Sequence, residues 1–152
     1  MENANTPHQQ FMGTKVVQAM PMTAEDAMSR GYRVETAEDG YEVVYENGYK
    51  SWSPGSAFDK SYRKLDGLTF GLAVEALKQG KKVSRQGWNG KGMWLKLVEP
   101  YGDMSISDEQ AESVSEGSIL LPWIGMKTAD NKFVPWLASQ TDVLTEDWGI
   151  IE

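Results

Sequence analysis

Cysteine is absent from the 152 residues, and histidine occurs once, at His8. The first absence removes disulfides, thiolate nucleophiles, iron–sulfur clusters and Cys-ligated zinc. The second removes a Ser-His-Asp triad and any multi-histidine metal site by counting alone. Carboxylate-only metal sites survive that count. No apolar run approaches the roughly 20 residues a membrane helix needs, and the N-terminus has no secretory hydrophobic region. Neither a Walker A nor a GxGxxG sequence is present, so P-loop and Rossmann readings lack their motif. Lys and Arg number 15 against 22 Asp and Glu, a net charge of −7, which argues against a general nucleic-acid binder. The expectation is a soluble intracellular protein, and 40% hydrophobic residues suffice for a core.

Charge is unevenly spread. Residues 64–98 carry 7 basic and 2 acidic groups, whereas residues 99–152 carry 2 basic and 11 acidic. A local anion site therefore remains open inside an acidic chain. Aromatics partition too: five of six Tyr precede Lys64, and five of six Trp follow it. Both shifts place a domain boundary near Tyr62–Leu68.

The expected fold class is α+β, in two small units, each an antiparallel sheet with short helices. Residues 1–13 are polar and aperiodic, and read as a disordered leader. Residues 14–63 form the first unit. Its expected strands are Thr14–Met20, Tyr32–Thr36, Tyr41–Glu46 and Tyr49–Trp52. Thr23 caps a helix that Gly31 ends. Asn47-Gly48 predicts a type I′ hairpin turn, and Ser53-Pro54 a cap and N1 proline.

Residues 64–152 form the second unit. Phe70, Ala73, Val74 and Leu77 line one helical face, with Thr69 as cap and Gly80 beyond the end. Lys81–Trp88 and Met93–Val98 read as strands joined at Asn89-Gly90. Ile119–Thr128 and Phe133–Leu137 form a second pair, Ser139–Asp142 resembles a capping box, and Trp148–Ile151 closes the chain as a strand. The acidic loop 99–118 has no period.

Two stretches can carry chemistry. Arg85 to Trp94 (RQGWNGKGMW) sets three glycines and Asn89 among two cations and two indoles. Arg offers a planar fork to phosphate, glycine opens the backbone, and Trp88 and Trp94 offer faces to a base. Its alternative reading is a Gly-rich hairpin with both indoles in the core. Pro135 to Asp142 (PWLASQTD) brings Trp136 to a helix start. Ser139 and Asp142 fit a cap, which leaves Gln140 and Thr141 for a ribose or base edge. Asp142, Glu146 and Asp147 have acid–base spacing, which equally suits a solvated helix face. No nucleophile has a base beside it.

From Leu68 to Ile151 the chain resembles the second Thoeris anti-defence family. Thr69-Phe70, Ala73–Lys78 (AVEALK), Gly80–Val83, Gly87–Trp94 (GWNGKGMW), Met126–Asp130 (MKTAD) and Phe133–Asp147 (FVPWLASQTDVLTED) carry the likeness. The resemblance implies a non-enzymatic phage protein in the cytoplasm of the infected bacterial host. It implies sequestration of a cyclic ADP-ribose isomer made by TIR-domain enzymes, with no cofactor, metal, nucleic-acid polymer or membrane partner. It further implies a homotetramer with pockets between protomers, and cyclic dinucleotides at separate sites in some members. The expected ligand-binding residues are Arg85, Trp88, Asn89, Trp94, Trp136, Gln140 and Thr141. Residues 15–63, with YENGYKSWSP, resemble an accessory module of other phage proteins. The rival readings are a hydrolase of ADP-ribose-like compounds using Asp142 or Asp147, and a structural phage protein whose tryptophans are all core.

Overall fold

The computed structural model describes residues 9–99 and 121–151. Most of the expected leader, the acidic loop from residue 100 onward, and residues 119–120 of an expected strand lie outside them. The chain divides into two compact units, with the break between Tyr62 and Arg63. Both described sheets are antiparallel, and short helices accompany each, so the α+β expectation holds.

The first unit runs β1 (Gln18–Met22), α1 (Ala24–Ser29), β2 (Gly40–Val44), β3 (Lys50–Pro54) and α2 (Gly55–Ser61), with sheet order β1-β2-β3. Thr23 caps α1 through a bond from the Asp26 amide, and Gly31 follows at φ +84°. Met22, Ala24, Ala27 and Val43 are buried. Tyr41, Phe58 and Tyr62 stack in series, with centroids 4.3 and 4.7 Å apart.

Three sequence expectations fail in this unit. Tyr32–Thr36 is not a strand; the Tyr32 amide bonds to Ala27 O, and its hydroxyl donates to Glu42 at 2.7 Å. Asn47 lacks positive φ, so the turn is not type I′. Gly48 N bonds to Tyr45 O and Tyr45 N to Tyr49 O, with Gly48 alone left-handed at +80°. That is a three-residue hairpin loop closed by a left-handed glycine. Finally, Ser53 does not cap α2. It sits in β3 opposite Tyr41, Pro54 takes the cap position, and Glu38 Oε1 accepts the Ser56 amide at 2.6 Å.

The second unit runs α3 (Phe70–Lys78), β4 (Lys82–Arg85), α4 (Gln86–Asn89), β5 (Trp94–Val98), β6 (Trp123–Lys127), β7 (Phe133–Pro135), α5 (Gln140–Leu144) and β8 (Trp148–Ile151). Sheet order is β7-β6-β5-β4-β8. The apolar face of α3 supplies buried Ala73, Ala76 and Leu77, which pack with Leu68, Val83, Leu95 and Trp148. Side chains alternate across a strand. Leu95, Leu97, Ile124 and Met126 therefore face this core, and Trp94, Lys96, Trp123 and Lys127 face the other way. Among the described residues no helix is long and apolar enough to cross a membrane.

The expected strand Lys81–Trp88 stops at Arg85, and Gln86–Asn89 turn into helix. Asn89-Gly90 is consequently not a hairpin turn. Gly90 lies at φ −66°, and the left-handed residue is Gly92 at +64°. Gln86 N bonds to Asp147 O at 3.1 Å, the rung that follows Arg85↔Trp148 in the β4–β8 register, and the ladder ends there as the chain coils into α4.

Candidate functional site

Helix α5 is held by local chemistry. Ser139 Oγ accepts the Asp142 amide at 3.1 Å, and Asp142 Oδ2 accepts the Ser139 amide at 2.9 Å. This is the expected capping box, complete in both directions. Gln140 and Thr141 occupy the first two positions of α5 and are exposed. They remain unused by the box.

Arg85, at the end of β4, reaches the same helix. Its Nη1 donates to Asp142 Oδ1 at 3.0 Å, and Nε and Nη2 donate to Asp147 at 2.9 and 3.2 Å. Thr145 Oγ1 also donates to Asp147, at 2.8 Å. The Arg85 guanidinium holds the Asp147 carboxyl below its usual range, against the effect of burial and with help from Thr145. At Asp142 burial pushes the carboxyl up, but the Ser139 and Arg85 hydrogen bonds outweigh it, and the net direction is down. Arg85 is itself raised by its bond to Asp147. Both aspartates are thus fixed as carboxylates.

The tryptophans separate into two groups. Trp148 is fully buried, and its Nε1 donates to Asp142 O at 2.9 Å. Trp88 and Trp136 stand edge-on to it, with centroids at 5.3 and 5.9 Å, and edge-on to each other at 6.2 Å. Phe70 adjoins Trp136 and Trp148. Each indole here packs its edge or face on a neighbour, while Trp88 and Trp136 stay half-buried.

Trp94 lies on the opposite face of the sheet. Phe133 stands 6.0 Å from its ring and 5.9 Å from that of Trp123. Lys82 Nζ lies 4.8 Å above the Trp94 ring. Phe133 rests directly over Gly125, where any Cβ would lie 2.3 Å from the ring. Glycine leaves room here for the edge ring, which occupies the space a side chain would take.

Of the residues expected to bind ligand, Trp88 and Trp136 meet edge-on, Arg85 reaches Asp142 of α5, and Gln140 and Thr141 open that helix. Asn89 is the last residue of α4, and Trp94 stands apart. Sequence reasoning missed Phe70 and Trp148 as members of the aromatic cluster, and Asp142 and Asp147 as partners of Arg85. The α3 periodicity had marked Phe70 as inward-facing. No local signal paired Arg85 with residues 57 and 62 positions away.

The family model for the Thoeris anti-defense 2-like domain matches residues 68–151. A relative from Bacillus phage SP01, named Thoeris anti-defense 2, is 47% identical over 90 residues, covering 55% of this chain and 94% of its own length. The match to the family model spans more than half the chain and includes α4, α5, the Arg85 network and both tryptophan groups. The chain belongs to the Thoeris anti-defense 2-like family.

Proposed function

We propose that this protein sequesters a cyclic ADP-ribose isomer without degrading it. Family membership supports a phage anti-defence role.

One observation carries the choice of binding over hydrolysis. A hydrolase would need Asp142 or Asp147 as acid or base. A catalytic acid must be protonated near neutral pH, and an efficient base has a pKa near it. Both carboxyls are pushed the other way, and both are tied to Arg85. They are built as anchors.

The surface for the ligand runs from the half-buried Trp88 and Trp136 to the exposed Gln140 and Thr141 that open α5, with Asn89 at the end of α4. Indoles suit the adenine, and neutral donors and acceptors suit the ribose hydroxyls. Trp94, on the other face, joins the site only through a second protomer. A homotetramer with pockets between copies reconciles these positions and encloses more of a ligand than an open surface does.

The test is co-incubation with a panel of cyclic ADP-ribose isomers and cyclic dinucleotides, followed by removal of unbound compound and heat denaturation. Sequestration returns one intact cyclic ADP-ribose isomer. Recovery of hydrolysis products supports the enzyme reading, and recovery of nothing supports a structural role. Light scattering at micromolar concentration tests assembly; a 17.0 kDa species alone would refute the tetramer.

A further inference from the structure

We propose that Arg85 is a positioning residue: it locks α4 and α5 together as the two walls of the ligand site and does not grip the ligand phosphates. The inference rests on the sequestration reading for its ligand.

Most of the Arg85 hydrogen-bonding capacity is already committed. A guanidinium has five N–H donors, and three are spent on two carboxylates. The acceptors are also committed. Thr145 Oγ1 donates to Asp147 Oδ1, and the Ser139 amide and hydroxyl donate to Asp142 Oδ2 at 2.9 and 2.6 Å. One cation against two anions leaves the cluster at a net charge of −1. Two N–H donors remain, but a phosphate brought to a cluster of net charge −1 meets repulsion.

Arg85 also joins elements that are far apart in the chain. The Arg85 side chain is 19% exposed, and its partners Asp142 and Asp147 are 12% and 30% exposed. Asp147 O takes the Gln86 amide at 3.1 Å, the rung after Arg85↔Trp148 in the β4–β8 ladder, so the residue whose carboxylate meets Arg85 also holds the first residue of α4 through its backbone. Asp142 O takes the Trp148 indole N–H at 2.9 Å, and Trp88 and Trp136 stand against that indole. One side chain thereby fixes the start of α4, the first turn of α5 and the ring on which both half-buried indoles lean. Without the guanidinium, two partly buried carboxylates face each other uncompensated, and α5 is driven away from the chain entering β8.

Asp147→Asn separates the two roles with a sign. It weakens the hold on the guanidinium and brings the cluster from −1 to neutral. A phosphate-gripping Arg85 would then bind more tightly and with a steeper salt dependence. A positioning Arg85 predicts the reverse: affinity falls about tenfold or more, as when a supporting shell is lost, and the salt slope stays as in the parent. Arg85→Lys keeps the charge but cannot span both carboxylates, so it too should weaken binding. The measurement is calorimetric titration of the full chain at two salt concentrations, using the cyclic ADP-ribose isomer that the parent retains.

A second readout needs no ligand. In nitrogen–proton spectra, both variants should move the indole signals of Trp88, Trp136 and Trp148 and leave those of Trp94 and Trp123 in place. Tighter binding by Asp147→Asn, or indole signals unchanged in both variants, overturns the proposal. If the parent retains no probe, the sequestration reading fails, and the indole spectrum alone judges the clamp.

Discussion

Gly125→Ala should destabilise the second unit, and by an amount set by one ring. The added methyl carbon would lie 2.3, 2.6 and 3.1 Å from three atoms of the Phe133 ring. Ordinary contact requires the ring to retreat by more than about 1 Å. Phe133 is 46% exposed, so it can swing outward. The swing loses its packing on Trp94 and Trp123, at about 0.5–1.5 kcal/mol for each aromatic pair. Opposing this, alanine lowers the entropy of the unfolded chain, a gain of about 0.4–1 kcal/mol where its backbone fits. The net is a loss of about 1 kcal/mol, or roughly 5 °C for a unit of this size. Thermal melting followed by tryptophan fluorescence reads it. The background variant Phe133→Ala sharpens the test. With the ring already gone, the same Gly125→Ala change has nothing to displace and should turn stabilising. An equal loss in both backgrounds would refute the reasoning.

Gly40→Ala should be far harsher on the first unit, since its Cβ would meet the Ser53 carbonyl oxygen at 2.0 Å, and backbone in a ladder cannot swing aside. A loss of about 3 kcal/mol, at the upper end for overpacking, is expected in a denaturant titration followed by tyrosine signals. Ser139→Ala removes the α5 cap and should cost about 0.5–2 kcal/mol in the second unit's melt. Acid provides a further check. Asp142 and Asp147 have lower pKa values folded than unfolded. Their stabilisation is therefore complete above the unfolded value of about 3.9 and is lost as pH falls through the folded values. The melting temperature should hold level from pH 7 to about 5 and fall below about 4, and Asp142→Asn should flatten that fall.

Helix ends were legible because their chemistry is local. Thr23, Thr69 and Ser139 cap as expected, and Gly31 and Gly80 take positive φ just beyond their helices. What failed was set at a distance. The sequence from Arg85 to Gly90 reads as a strand entering a turn, yet the ladder to β8 makes its last bond at Gln86 N to Asp147 O and the chain then coils into helix. Tyr32–Thr36 has strand composition, but Tyr32 is drawn to Glu42 and joins no ladder. The candidate site was half legible for the same reason. Trp88 and Trp136 meet edge-on, and Gln140 and Thr141 open the helix that follows Trp136. The cation that made the first segment attractive to a phosphate is engaged by two anions from the other end of the unit. The strand Trp94–Val98 was found, and alternation alone set Trp94 opposite Leu95. Only packing against α3 decided which of the two faced the core.

Adjacent acidic residues in the first unit each fasten a different helix. Asp39 Oδ1 accepts the amide of Ala24, the first residue of α1, and Glu38 accepts the amide and hydroxyl of Ser56 in the first turn of α2. Helix starts that are distant in the chain are thus moored to a single dipeptide. Hydrogen exchange at Ala24 and Ser56 should accordingly be correlated, because any fluctuation that carries residues 38 and 39 away exposes both amides at once. The connection between α1 and β2 is thereby fixed in length at its distal end: an insertion near residue 33 can be absorbed, whereas one between Asp39 and Gly40 unfastens two helices together.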